Sequence, residues 1–180
     1  VMLSTVILGL LLNGEGLTGY DFKKRIEKGI GVFYKASYGS LYPALKRLEK
    51  EGSITMSEDV TGDRKKKVYY ITGRGSEIFN KWLVAPMDMS DNANVYLAKM
   101  YFFDMLSRES SFQQLKDFEL NIIQYLRNLE ALNEHFMQRD DIDQHYFKMA
   151  TLYYGITVTK EVLRWCQHIK EKKPLKDLID

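Results

Sequence analysis

Leu3, Val6, Ile7, Leu10 and Leu11 recur at i, i+3, i+4, i+7 and i+8, the spacing of one face of a helix. Asn13-Gly14-Glu15-Gly16 stops that helix. Thr18 stands as the N-cap of a second one, because its hydroxyl can accept a free backbone N–H. Phe22, Ile26, Ile30 and Phe33 line the second segment, while Lys23, Lys24, Glu27 and Lys28 fall on its other faces. Gly29 and Gly31 mark its fraying end. A third helix is expected over residues 37–52 (SYGSLYPALKRLEKEG), with Leu41, Leu45 and Leu48 inward and Gly52 just past the end. Pro43 has no N–H to give, so it belongs in or close to the first turn, with Ser37 or Ser40 as the N-cap.

The period then changes. Ile54 to Glu58 alternates apolar and polar, and Val68-Tyr69-Tyr70-Ile71 is β-branched and aromatic, so two strands are predicted. Between them lie Asp59 to Asp63 and the run Arg64-Lys65-Lys66-Lys67, which reads as a hairpin with four positive charges at its tip. Thr72 caps a fourth helix carrying Ile78, Phe79, Trp82 and Leu83 on one side. Residues 84–94 (VAPMDMSDNAN) lose all periodicity. The expected division is a head over residues 1–85, a linker over 86–94 and a helical domain over 95–180.

Val95 to Leu106 is apolar nearly all round, as a buried segment would be. From Phe112 to Gln138 neither Gly nor Pro interrupts the chain, and Leu115, Phe118, Ile122, Tyr125, Leu129, Leu132 and Phe136 alternate three and four apart. That is a coiled-coil-type seam on a helix of roughly 40 Å at about 1.5 Å per residue. A last helix, near 143–172, has two apolar faces. One bears Phe147, Thr151, Tyr154, Val158, Val162, Trp165 and Ile169; the other bears Met149, Leu152, Ile156, Leu163 and Cys166. Two greasy faces need two partners: the chain itself and, on this reading, a second copy. The fold class expected is mainly α with a small β-hairpin.

Composition narrows the function. With 45% hydrophobic and 28% charged residues the chain can bury a real core. The apolar run from Met2 to Leu12 is about half a membrane span and lacks a basic flank and a cleavage site, so a buried helix is expected and no membrane partner. A single cysteine, Cys166, excludes an internal disulfide and fits a cytoplasmic protein. The net charge of +2 is unevenly spread: through Ala85 there are 14 Lys and Arg against 9 Asp and Glu, and beyond it 12 against 15. The basic half is the candidate for a polyanionic partner. His135, His145 and His168 are scattered and one Cys cannot complete a zinc set, so no metal is expected. Gly14-Glu15-Gly16-Leu17-Thr18-Gly19 is a literal G-x-G-x-x-G, but it follows a helical pattern and lacks the later acidic residue of a dinucleotide site, so no cofactor is expected. No catalytic triad can be assembled, and the chain is not expected to be an enzyme.

Helix, helix, helix, strand, basic turn, strand, helix is the plan of a winged helix-turn-helix. A helix that begins with Ser37, Gly39 and Ser40 can approach a groove floor closely, and Tyr38 and Tyr42 can reach phosphates or base methyls. Lys46 lies one turn beyond Tyr42, and Arg64, Lys65, Lys66 and Lys67 suit a phosphate or minor-groove contact.

Thr18 to Ile54 (TGYDFKKRIEKGIGVFYKASYGSLYPALKRLEKEGSI) resembles the helix-two-to-wing segment of the PadR-like family of regulators, and KVYYIT-x-x-G resembles its second wing strand and helix cap. The helical remainder is similar to the longer members in length and pattern. Thr18 stands where many members have His, and the TGYD and YKAS stretches look closer to the AphA-like virulence-activator branch. The resemblance implies a homodimeric transcriptional regulator of double-stranded DNA, more often a repressor than an activator. It implies DNA contacts by Ser37, Tyr38, Ser40, Tyr42 and the wing basics, and dimerisation through the C-terminal helices. The residues for that second role are Leu115, Phe118, Ile122, Tyr125, Leu129, Leu132, Tyr154, Val158, Val162 and Trp165. Some relatives bind an aromatic small-molecule effector; Tyr20, Tyr153, Tyr154 and Trp165 are the aromatics in question, with dimer core their favoured role. The competing reading is a winged-helix interaction module whose basic wing binds an acidic protein.

Overall fold

The computed structural model describes residues 2–32, 37–61, 64–138 and 142–179. Phe33, expected on the second helix, lies outside the described residues. The chain divides into two units, Val1–Ala85 with Ala93–Leu106, and Pro86–Asn92 with Ser107–Asp180.

In the first unit, α1 (Met2–Leu11) is followed by a two-residue strand β1 (Leu17–Thr18), α2 (Gly19–Lys28), α3 (Tyr38–Lys50), the strands β2 (Ile54–Thr61) and β3 (Arg64–Ile71), α4 (Gly73–Val84) and α5 (Ala93–Tyr101). The sheet is antiparallel in the order β1-β3-β2. Most of its core comes from the periodic positions: Val6, Ile7, Leu11, Phe22 and Leu45 have no exposed surface, joined by Phe79 of α4 and by Leu8, which lies outside the expected stripe, while Leu10 of that stripe is only partly buried. Side chains of this size contribute about 1.5–3 kcal/mol each when fully buried.

Side-chain caps set the helix starts. Thr18 and Asp21 form a reciprocal box at α2: Asp21 N–H donates to Thr18 Oγ1 (3.2 Å) and Thr18 N–H donates to Asp21 Oδ2 (2.9 Å). The Thr18 hydrogen bonds hold the Asp21 carboxyl below the usual aspartate range. Thr72 caps α4 by accepting from Gly75 N–H (3.1 Å). At the far end of α3, Gly52 takes φ +71°, and Ser53 N–H donates to Leu48 O (2.9 Å) while Gly52 N–H donates to Glu49 O (3.0 Å). That is a complete Schellman closure, which favours glycine because the left-handed region penalises a Cβ.

Residues 95–106 depart from the expected division. They group with the head: Ala98 is fully buried, Phe102 stands edge-on to Phe79 (ring centroids 5.1 Å) and Lys99 Nζ donates to Ala85 O (2.5 Å). The loss of periodicity over residues 84–94 marks a loop, and the chain returns to the head after it.

In the second unit, α6 (Arg108–Met137) and α7 (Tyr146–Lys170) run antiparallel, as their partners show: Leu115 with Cys166, Glu119 with Gln167 (2.9 Å) and Lys170, Glu130 with Lys160 (3.1 Å). The long helix starts before Phe112 because Ser107 caps it, accepting from Ser110 N–H (3.1 Å). Asn121 Oδ1 accepts from Met89 N–H (2.7 Å), tying the 86–92 segment to α6. Cys166 is fully buried, and burial first, then the Glu119 charge, pushes its thiol up to about 12 against the opposing pull of Lys170. No helix among the described residues is long and apolar enough to cross a membrane.

Candidate nucleic-acid interface

The third helix is split lengthwise by burial. Leu41, Ala44, Leu45 and Leu48 are 0–6% exposed and hold it on the core. Ser37, Ser40, Tyr42 and Lys46 are exposed. Ser37 is the N-cap: its Oγ accepts from Ser40 N–H (3.3 Å), and Ser40 Oγ accepts from Ser37 N–H (3.2 Å). Both hydroxyls that were expected at DNA therefore also fix where the helix begins. Pro43 sits early in the second turn, close to the first, so the bond that another residue would give to Gly39 O is missing. The side chain of Tyr38 lies outside what is described.

Tyr42 is half-exposed and rests against Gly19 at the start of α2, where Tyr20 is 64% exposed. Behind them Tyr69 is buried, and burial first, then Glu49 and Tyr42, raises its phenol above the ordinary value.

The basic run does not sit on the hairpin's tip as expected. Arg64, Lys65, Lys66 and Lys67 all lie in β3, paired in register with Thr61, Val60, Asp59 and Glu58. The reason is cross-strand charge: Glu58 and Asp59 face Lys67 and Lys66, so ladder pairing continues where four adjacent cations would otherwise repel. Lys65, Lys66 and Lys67 are exposed; Lys65 also pairs with Glu58 at 3.7 Å. Both partners are largely in water, and such a pair contributes little to stability. The side chain of Arg64 lies outside what is described. Sequence reasoning missed the two acidic partners, because strand register is invisible in a single strand's pattern.

The other candidate surface divides. Leu115, Phe118 and Ile122 are buried within the chain, which leaves them almost no area for a second copy. Tyr125, Leu129, Val158, Val162 and Trp165 are half-buried. Leu132 is 43% and Tyr154 71% exposed, and Phe147 at 82% lies two turns before Tyr154 on the same face.

Residues 7–81 match the family model described as "Transcriptional regulator PadR-like family", and residues 94–172 match "Virulence activator alpha C-term". Over residues 7–81 the chain is similar to the PadR-like family of transcriptional regulators. It is 34% identical over 118 residues to the negative transcriptional regulator PadR of Bacillus subtilis (strain 168). That match spans 64% of this chain and only 64% of the relative's length. Among solved structures it is similar to Bacillus subtilis PadR in complex with operator DNA, at 28% identity and TM-score 0.49, covering 95% of this chain and 98% of that one. It is likewise similar to the same regulator in complex with p-coumaric acid, at 28% identity and TM-score 0.43 with the same coverage. A PadR-like transcriptional regulator from Bacillus cereus matches at 26% identity and TM-score 0.41, covering 94% of this chain and 96% of that one. In this chain the first matched region covers the capped α3 and the charged hairpin, and the second covers α6 and α7.

Proposed function

We propose that this PadR-like chain is a cytoplasmic homodimeric repressor that reads double-stranded DNA, with α3 in the major groove and the β2–β3 hairpin on the adjoining backbone. The observation that carries the reading is the lengthwise division of α3: an apolar stripe satisfied by the core, and an open face of small hydroxylated, aromatic and basic residues, Ser37, Ser40, Tyr42 and Lys46. Lys65, Lys66 and Lys67 add exposed charge for phosphates. The second copy joins through the exposed face of α7 around Phe147 and Tyr154. No catalytic step is part of the proposal. The sign of regulation follows the negative regulator at 34% identity.

The head also holds a cleft of about 560 Å3 between α1, α2 and α5, lined by Lys24, Arg25, Lys28, Tyr101 and Phe102 together with the carboxylate of Asp21, and Arg25 is paired with Glu15 (3.0 Å). Cations beside aromatic rings suit a planar organic acid, so the effector class belongs to this proposal, with p-coumaric acid as the first probe.

The test is selection of bound duplexes from a random library, followed by titration of a selected fragment and a random one. Two recognition helices related by a two-fold axis read half-sites roughly 34 Å apart, about one turn of DNA. A selected pseudo-palindrome with that spacing is the expected result. Equal affinity for the selected and random fragments, or binding only to an acidic protein, overturns the reading.

A further inference from the structure

The geometry points to Gly19 as a positioning residue for DNA recognition: the absent side chain of α2's first residue sets the pose of Tyr42 on the recognition helix. This rests on the DNA-reading proposal above and adds a residue to it that makes no contact with DNA of its own.

Gly19 is the first residue of α2, directly after the Thr18 cap. Its backbone carries no positive φ, so the position does not need glycine for its conformation. Alanine there would also favour the helix. Local structure therefore argues for a side chain at this position. What stands in the way is Tyr42. A Cβ built on Gly19 would lie 2.6 Å from Tyr42 Oη, 3.0 Å from Cζ and 3.1 Å from Cε1, and these are its three nearest neighbours. The first distance is well inside van der Waals contact.

The obstacle is the far end of a half-exposed side chain. An added methyl would be accommodated by swinging the Tyr42 ring outward, at little cost to the fold. The cost falls on the one property that depends on where that hydroxyl points. Elsewhere in the head the same crowding has other consequences. At Gly75 a Cβ would run into the Ser53 backbone carbonyl, which cannot swing away, so substitution there strains the fold itself. At Gly19 the fold has room to yield, and the arrangement of the reading face does not.

The experiment uses the full chain, a duplex selected by the wild type from a random library, and a random-sequence duplex of equal length. Gly19→Ala is expected to melt at or above the wild-type temperature and to lose about five- to tenfold in affinity for the selected duplex, the size of one lost hydrogen bond. Tyr42→Phe removes the atom at 2.6 Å. The double variant Gly19→Ala with Tyr42→Phe is expected to bind as Tyr42→Phe does alone. Losses that multiply in the double variant place the effect of Gly19 on the backbone's own approach to DNA and overturn the proposal. So does wild-type affinity in Gly19→Ala when Tyr42→Ala is weakened. If Tyr42→Ala and Gly19→Ala both bind as wild type, Tyr42 leaves the interface altogether, and it is the reading beneath this one that fails. If Gly19→Ala lowers the melting temperature by several degrees, the yielding-ring argument is wrong and the proposal falls with it.

Discussion

The two units treat their large apolar side chains in opposite ways. In the head, Phe22 and Phe79 have no exposed surface, and of the positions of α1 that the pattern marks as inward Leu3, Val6, Ile7 and Leu11 are buried, with Leu10 partly so. In the helical unit, Tyr146, Phe147 and Tyr154 are 71–82% exposed on α7, and Leu120 on α6 is 58% exposed. The head completes its core within one chain. Among its described residues the helical pair leaves these side chains uncovered, the kind of apolar surface that goes with an interaction site. Sequence pattern alone shows a greasy helix in both places; only the partners found within the chain tell a core from an interface.

Four perturbations sharpen that contrast. The largest effect is expected from the same substitution made on each side. Phe79→Ala should lower head stability by about 3–5 kcal/mol in a denaturant titration, the usual range for a buried phenylalanine. Phe147→Ala, measured at concentrations low enough to dissociate the dimer, should stay within about 0.5 kcal/mol of wild type. Comparable costs at the two positions would erase the distinction. Next, Phe147→Glu with Tyr154→Glu should convert the dimer to a monomer by light scattering. It should also weaken binding to a two-half-site duplex by about a hundredfold, since the second head is no longer tethered. A variant that remains dimeric removes this face from the interface.

On the head's open surface, Lys65→Ala with Lys66→Ala should reduce affinity for all sequences alike and flatten the salt dependence by about one to two, near one per phosphate contact. An unchanged slope takes the hairpin off the DNA. The smallest effect concerns the α2 cap. Asp21 is held below the ordinary aspartate range by its bonds with Thr18, so it stabilises the folded form above the unfolded pKa, and that contribution is lost as pH falls through the folded value. Asp21→Asn should therefore cost about 1 kcal/mol at pH 7, and the deficit should vanish as pH falls through the folded Asp21 value. A deficit that persists in acid assigns the loss to something other than the carboxylate.

Much of the architecture was readable from residue spacing because the forces concerned are local. Thr18, Ser37 and Thr72 announce their helices by side-chain chemistry that acts three residues away, and all three are N-caps. Gly52 announces the end of α3 in the same way. What escaped was set by partners distant in sequence. The strand Leu17–Thr18 is too short to show a period and exists only because Tyr69 and Val68 pair with it. The charges of β3 read as a tip because Glu58 and Asp59 become their neighbours only once the register is known. Leu115, Phe118 and Ile122 belong to the same heptad pattern as Leu132, and nothing in that pattern says that the first three are covered within their own chain. For the candidate interface, residue types were legible and orientation was not: the contact of Tyr42 with Gly19 spans 23 positions.

The corner where α3 ends also has a bearing on how half-sites can vary. Ser53 N–H closes onto Leu48, Thr72 N–H donates to Ser53 O (3.1 Å), and the Thr72 hydroxyl donates to Gly52 O (2.8 Å). The end of the recognition helix, the first residue before one strand and the first after the other are thus riveted at one point. Helix and hairpin move as a single stamp, with no hinge between them to adjust reach from one target to the next. On the proposed reading, variation in the length between half-sites is absorbed outside the head, so base changes within a half-site and insertions between half-sites act on separate mechanical freedoms.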